Sequence, residues 1–410
     1  MSENSYETAT TGPRSMVRLY WLALGTFAIG TEGFMIAPLL PNLARDLSVS
    51  LVSAGQLVTV FALTYALSSP VLTALTGNID RRWLLIASML AFAAANFVAS
   101  SAHSYPALLV ARILLAVAAG LYVPNANALA TAIVEPSRRG HALSIVTGGI
   151  SVAVALGVPL GAVIGERFGW RLNFIIVGVL SLMATIGLLS GLPRDISVHM
   201  PVASLRERFD VARRPAVLLA LLVTLLWGTG AYAVYTYLAP FLAHAAGIVG
   251  SSVGAVLFMW GVAAVIGIRL GGNLNDRFGS LPVILISLSV LVIAFLGLST
   301  AAVLFPPPVA RAPILFSIAL WGISAWAFFP AQQARLVSIG GVNVAPVTLS
   351  LNASFQFLGF STGAALGALI LAYASPLSLG WVGASCESGA LALVMATSRR
   401  QKSSSTHKVA

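Results

Sequence analysis

The sequence predicts an all-α integral membrane protein, with twelve transmembrane helices arranged as two pseudo-symmetric halves of six. Three observations lead there. The chain is 58% hydrophobic and only 9% charged, with a mean hydropathy of +0.93, whereas soluble domains place roughly a quarter of their residues in charge. Stretches of about 20 mostly apolar residues, the length that crosses a bilayer, recur about twelve times. One rare charged phrase is also written twice, as "LTGNIDRRWL" from Leu75 and "LGGNLNDRFGS" from Leu270.

A polar tail, residues 1–16, comes first. Spans 1 to 6 are expected near 17–41, 52–76, 83–102, 105–133, 142–165 and 170–192, and make up the N-terminal half, 17–192. The polar segment 193–214 follows; its "SLRERF" suits a short amphipathic helix on the inner membrane surface. Spans 7 to 12 are expected near 215–241, 250–271, 280–302, 312–334, 344–373 and 376–397, forming the C-terminal half, 215–397, before a basic tail at 398–410.

The net charge of +11 raises the question of nucleic acid, and the positions of the bases answer it. With the N-terminus placed in the cytoplasm, only Arg45, Arg167, Arg171 and Arg311 of the 23 Lys and Arg fall on the outer side, and Arg112 stays within the membrane. That asymmetry follows the positive-inside rule with both termini cytoplasmic, so the charge signals topology. No cleavable signal peptide is expected, because the apolar run after Val17 is too long for one. The lone Cys386 excludes an internal disulfide and a cysteine-rich metal site.

The repeated phrase falls after the second span of each half. A second repeat agrees with it. Span 5 carries Gly149, Ala153, Gly157, Gly161 and Gly165, a small residue at every fourth position, and span 11 carries Gly359, Gly363 and Gly367 at the same interval. Residues four apart share a helix face, so each series makes a smooth stripe for close backbone approach. Two repeats in matching spans argue for internal duplication. Duplicated helical halves are a transporter architecture, with the solute site at mid-membrane between them. In that setting the phrase reads as a conformational latch: glycine admits two helices to the loop, and Asp and Arg bind helix ends or opposing charges in one conformation. The plainer reading is that Asp-Arg ends a helix with interfacial charge.

"GNLNDRFG" after span 8 resembles the loop signature of the major facilitator superfamily, G-x-L-x-D-R-x-G, which Gly272, Leu274, Asp276, Arg277 and Gly279 match in full. The first copy departs from it. After Gly77, Asp80 comes one residue early and the second glycine is absent; if Pro70 sets the register, Gly77 stands at the family's Asp and Arg81 and Arg82 keep the basic pair. "ARILLAVAAG" places Arg112 like the family's span-4 arginine. "GVPLGAVIG", with Gly157, Pro159, Gly161 and Gly165, resembles the span-5 antiporter signature, and "GERFGWRLNF" resembles the turn after it in twelve-span drug:proton antiporters. "GTEGFMIAPLLPNLARDLSVS", "VSAGQLVTVFALTYALSSP" and "FFPAQQ" look like the arabinose-efflux-permease group, which includes purine base and nucleoside efflux pumps. The resemblance implies alternating access, proton-driven efflux of a small organic solute, no cofactor beyond the proton gradient, and a monomer in the bacterial inner membrane.

Glu32, Arg112 and Glu387 are ionisable residues well inside spans, where each costs on the order of 2.5–3.5 kcal/mol and should be paired or face water. Glu32 and Arg112 lie at similar depth on spans 1 and 4, which the family fold makes neighbours. Glu32 reads as a proton carrier that Arg112 helps to discharge, or the two form a fixed tether. Glu387 faces a cavity or Arg335, or is buried with one proton. Amides and aromatic faces suit a planar, hydrogen-bonding solute such as a purine. From the spans that line the family's cavity, Asn125, Trp227, Tyr235 and Gln332 are the candidate solute contacts, with helix packing and interface anchoring as their plainer roles.

His103, His141, His199, His244 and His407 fall in loops or tails without metal-ligand spacing. No P-loop, nucleophile elbow or H-E-x-x-H phrase appears, so neither ATP-driven transport nor hydrolysis has a basis in the sequence. Symport or uniport is the nearest rival to exchange, and a non-transporting receptor the rival from another class.

Overall fold

The computed structural model describes residues 13–135, 138–192, 204–341 and 344–406, with side chains described from Met16 to Ser398. Arg194, His199, His407 and Lys408 lie outside the described residues. Twelve of the described helices are long and apolar enough to cross a membrane. They are spans 1 to 6 at Met16–Asp46, Leu51–Leu75, Arg81–Ser100, Tyr105–Ala132, Arg139–Phe168 and Trp170–Gly191. Spans 7 to 12 are Pro215–Thr236, Ser251–Phe278, Ser280–Leu304, Pro307–Gly340, Ala345–Tyr373 and Pro376–Ser398. The protein is a multi-pass membrane protein. Both ends of the chain leave one side of the bundle, called here the tail side; the opposite side is the far side.

Local chemistry sets the element ends. Ser50 and Asp80 cap spans 2 and 3, each accepting a bond from the backbone N–H three residues on. Gly279 alone, at φ +80°, turns the chain from span 8 into span 9, a conformation that disfavours any residue with a Cβ. Between the halves, Leu205–Ala212 forms the expected short helix, opened by a capping box in which Ser204 and Glu207 satisfy each other's backbone N–H. Its Arg208 is drawn into a hydrogen bond with Ser350 at 2.6 Å.

Several elements differ from expectation, among them span 8, which runs on to Phe278, and span 10, which starts at Pro307. Span 7 stops at Thr236, Tyr237 breaks the helix, and Leu238–Ala246 restarts it. The last helix runs on to Thr406, so 398–406 is helical rather than a free tail. Span 5 contains a π-helical stretch, Ala153–Gly157. Pro159 has no N–H to offer the carbonyl four residues back and its ring crowds it, so a wide turn forms just before it.

Packing repeats between halves. Span 1 packs on 5 and 6, 2 on 4, and 3 on 4 and 6; span 7 packs on 11 and 12, 8 on 10, and 9 on 10 and 12. The glycine stripes explain the tightest pairs. A Cβ at Gly161 would sit 3.2 Å from Met35 Cβ on span 1, and one at Gly363 would sit 2.9 Å from the Ala233 amide nitrogen on span 7. The halves meet through spans 2 with 11 and 5 with 8, pairs that the same pseudo-twofold exchanges. Spans 4 and 10 pack within their own halves.

Candidate functional site

An aromatic cleft lies at mid-span in the C-terminal half, where Phe34 of span 1 closes it from the N-terminal half. Span 7 presents Trp227, Ala231 and Tyr235 at successive four-residue steps, one helix face, with Tyr232 beside them. Span 10 adds Trp321, Ala325 and Trp326; Trp260 comes from span 8, Gln356 and Phe360 from span 11, and Phe34 from span 1. Together they border a narrow, largely apolar cleft. Ring geometry sets the walls. Tyr232 stacks on Phe360 with centroids 3.7 Å apart, Trp260 contacts Tyr235 and Trp321 at 5.2 and 5.4 Å, and Phe34 meets Tyr235 edge-on at 6.0 Å.

The cleft's lining is almost wholly apolar. The indole N–H groups of Trp227, Trp260 and Trp321 are all buried without a hydrogen-bond partner. Unpaired buried donors are rare in folded proteins and call for an explanation. The Tyr235 hydroxyl is used differently: it donates to Phe34 O at 3.0 Å and ties the two halves together. Ser361 Oγ donates across the halves to Thr59 O, also at 3.0 Å. These ties sit at mid-span and toward the far side.

Beside Phe34, two residues back on span 1, lies Glu32. Its carboxylate is ion-paired with Arg112, and both side chains are fully buried. Arg112 Nε donates to Leu57 O at 3.1 Å, and the guanidinium lies 4.1 Å from the Phe61 ring centroid. Glu32 Oε2 and Arg112 Nη2 keep no partner. Gly157, at the end of the π stretch, lies against the Thr31 side chain, next to Glu32. The small-residue stripe of Gly157, Gly161 and Gly165 thus fixes the helix that carries the carboxylate, while the Pro159 carbonyl faces Gly254 of span 8.

Two expected solute contacts lie elsewhere. Asn125 accepts from Arg81 at 2.9 Å and donates to Leu121 O at 2.6 Å; its amide joins the first loop to span 4 and does not line the cleft. Gln332 donates to Ala220 O at 2.7 Å and Thr224 Oγ1 at 3.1 Å, holding span 10 to span 7. Trp227 and Tyr235 do line it. Phe34, Trp260, Trp321 and Phe360 were not expected. Trp260 and Trp321 carried a usable signal, since both stand well inside their spans rather than at the ends where interfacial tryptophans gather.

The two charged phrases are built differently. In the first, Gly77 belongs to the turn before span 3, Asp80 caps that span, and Arg81 donates to the Gly77 and Thr76 carbonyls. Arg82 donates to Leu189 O and Leu192 O, both at 2.9 Å. In the second, Gly272, Asp276 and Arg277 are the last turns of span 8 rather than a loop, and Gly279 is the turn. No helix approaches Gly272, contrary to the expected role for that glycine: nothing lies within 4 Å of where its Cβ would be. Asp276 is exposed and, among the described residues, has no hydrogen-bond or ion-pair partner; Arg277 lies over Phe278. Glu387 is fully buried against Gly230 of span 7 with both oxygens unpartnered. Arg335 is not its partner, for it reaches Thr397, nearly three turns along span 12.

Twelve spans, two equivalent halves and an aromatic cleft invite comparison with known proteins. A family model described as Major Facilitator Superfamily matches residues 22–364. The chain belongs to the major facilitator superfamily. It is 32% identical over 370 residues to an uncharacterized MFS-type transporter, YbcL, of Bacillus subtilis, covering 90% of this chain and 92% of that one. It is 34% identical over 261 residues to a chloramphenicol resistance protein of Streptomyces lividans, covering 63% of this chain and 67% of that one. A peptide transporter solved in complex with alafosfalin superposes with a TM-score of 0.75 over 94% of this chain and 95% of that chain, at 13% identity, a likeness of fold. This member of the superfamily is a membrane transporter.

Proposed function

We propose that the protein exports a flat organic solute with hydrogen-bond-accepting oxygens in exchange for protons, with its tail side in the cytoplasm of a bacterial inner membrane. The observation that carries the reading is the buried Glu32–Arg112 pair two residues from the cleft wall at Phe34. A charge pair in this setting is balanced only while both members are charged. Protonating Glu32 leaves Arg112 buried and uncompensated, so proton binding changes which arrangement of spans 1 and 4 is favoured. Solute between Phe34 and the span 7 and 10 rings changes it too. Two ligands acting on one equilibrium are coupled reciprocally, which is the requirement for exchange.

The cleft supports the solute class. Ring faces take a planar body, three free indole donors take oxygens such as nitro or carbonyl groups, and the Gln356 amide reads an edge. The name of the Streptomyces relative makes chloramphenicol the first probe, with purine bases and nucleosides next. The basic residues on the tail side favour the cytoplasmic orientation. Asp276, which has no partner among the described residues, and Arg277, which lies over Phe278, are then latch residues that close onto a partner when the tail side shuts.

Inside-out vesicles with an acidified interior and a pH-reporting dye inside test this. Chloramphenicol, purine bases, nucleosides, sugars and lipophilic cations are added in turn. Collapse of the gradient by an oxygen-bearing planar solute with the wild type, and its loss in Glu32→Gln, is the expected result. Labelled solute that equilibrates with no proton movement would make the protein a uniporter and end the role proposed for Glu32.

A further inference from the structure

At the tail side of the C-terminal half, away from the aromatic cleft, spans 7, 10 and 12 border a second cavity of about 210 Å³. Its walls are apolar, including Ala216 and Leu219 at the start of span 7 and Ile339 at the end of span 10. One charge lies among them. Arg335 is only 7% exposed, lines the cavity, and donates Nη2 to Thr397 Oγ1 at 3.1 Å. Its Nη1 is buried with no partner at all. Among the described residues no carboxylate pairs with it, since the salt bridges found there are Arg112–Glu32 and Arg171–Asp46.

A buried guanidinium without a counter-charge is one of the more costly things a protein can contain. Glu32 answers that cost for Arg112; among the described residues nothing does so for Arg335. The group that removes the cost is an anion with oxygens spaced for a guanidinium fork, as in phosphate. The walls add a second requirement, because Ala216, Leu219 and Ile339 offer no donors and match hydrocarbon. The level adds a third: the cavity sits at the tail ends of its spans, where Arg213 and Arg214 precede span 7 and a headgroup layer would lie. We propose that this cavity binds the headgroup of an anionic phospholipid, its phosphate on the free Nη1 of Arg335 and its upper acyl carbons against the three apolar side chains. An occupied site would join the tail ends of spans 7, 10 and 12.

Native mass spectrometry of the full-length protein in mild detergent tests it with three probes: phosphatidylglycerol, phosphatidylcholine and inorganic phosphate. The expected result is that phosphatidylglycerol is retained well above phosphatidylcholine, and that Arg335→Gln weakens it about tenfold or more, the loss of a charge-assisted contact. Arg335→Gln leaves a buried amide and is open to misfolding, so Ala216→Phe, which fills the cavity from a partly exposed position and leaves the guanidinium in place, is measured beside it. It should weaken phosphatidylglycerol to a similar degree. Equal retention of the two lipids, full retention by both variants, or displacement of the lipid by inorganic phosphate at matched concentration would overturn the proposal.

Discussion

Glu387 shows what one buried residue reveals and what it withholds. Its place inside span 12 was plain from the sequence, yet its neighbour there is Gly230, and among the described residues neither oxygen has a hydrogen-bond or ion-pair partner. Glu387→Gln keeps the shape and has no charge to bury, so its melting temperature should equal or exceed that of the wild type. Glu387→Lys, which lengthens the chain against Gly230, should fail to accumulate in the membrane. A clear drop in melting temperature for the Gln variant would mean that the carboxylate has a partner in the working protein. Glu32 and Arg112 were legible as well, because a charge amid apolar residues needs a partner and the two lie at similar depth on spans that the resembled fold makes neighbours. Asn125 and Gln332 were not legible as helix ties. An amide that reads a solute and one that binds the next helix have the same sequence signature, and only the position of the neighbouring carbonyl separates them. Within the cleft, Trp260→Phe removes one free donor and little ring surface. It should weaken chloramphenicol binding about five- to tenfold, the worth of one hydrogen bond, while leaving a lipophilic cation unaffected; equilibrium dialysis reads both.

At the scale of helices, regular elements were readable and their interruptions less so. Spans follow from length and apolarity, and caps such as Ser50 and Asp80 follow from residue type. The π stretch before Pro159 is different, because a proline in a membrane helix is accommodated by a kink, a wide turn or a neighbour's side chain, and packing selects among them. Pro159→Ala restores the missing donor and lets Ala153–Gly157 wind as ordinary α-helix, which moves Gly157 off Thr31. The expected outcome is a higher melting temperature with slower transport; unchanged rates would show that the bulge has no part in holding span 1. The break at Tyr237 and the continuation of span 8 through Asp276 belong to the same class. Asp276→Asn should leave stability unchanged, since its carboxylate is exposed and unengaged, and should slow transport in the proteoliposome assay if the tail side closes on it.

Over the whole molecule, the glycine stripes of spans 5 and 11 serve the same contact twice, onto spans 1 and 7. Equivalent packing in both halves is the structural form of the internal repeat. The halves are joined across mid-membrane by few polar ties, and Tyr235 to Phe34 is one of them. Tyr235→Phe deletes it and should shift the balance between the two openings by about 1 kcal/mol, near fivefold in population. Thiol labelling at cysteines introduced on the far side measures this, since Cys386 is the only native one to replace. No change in far-side labelling would mean that ring packing alone holds that side shut.

From the sequence alone come the solvent, the number of spans, the duplication and the charges of Glu32, Arg112 and Glu387 inside the spans. Each of these is set by composition or by short spacing along one helix, and a bilayer penalises exceptions heavily. Only the tertiary structure decided which side chains meet: that the cleft draws on spans 1, 7, 8, 10 and 11, that its donors are left free, and that Arg335 lies buried beside an apolar cavity. These are contacts between segments far apart in the chain. In a membrane, without a hydrophobic force to sort one apolar helix face from another, close packing and a few polar contacts settle them, and neither leaves a period in the sequence.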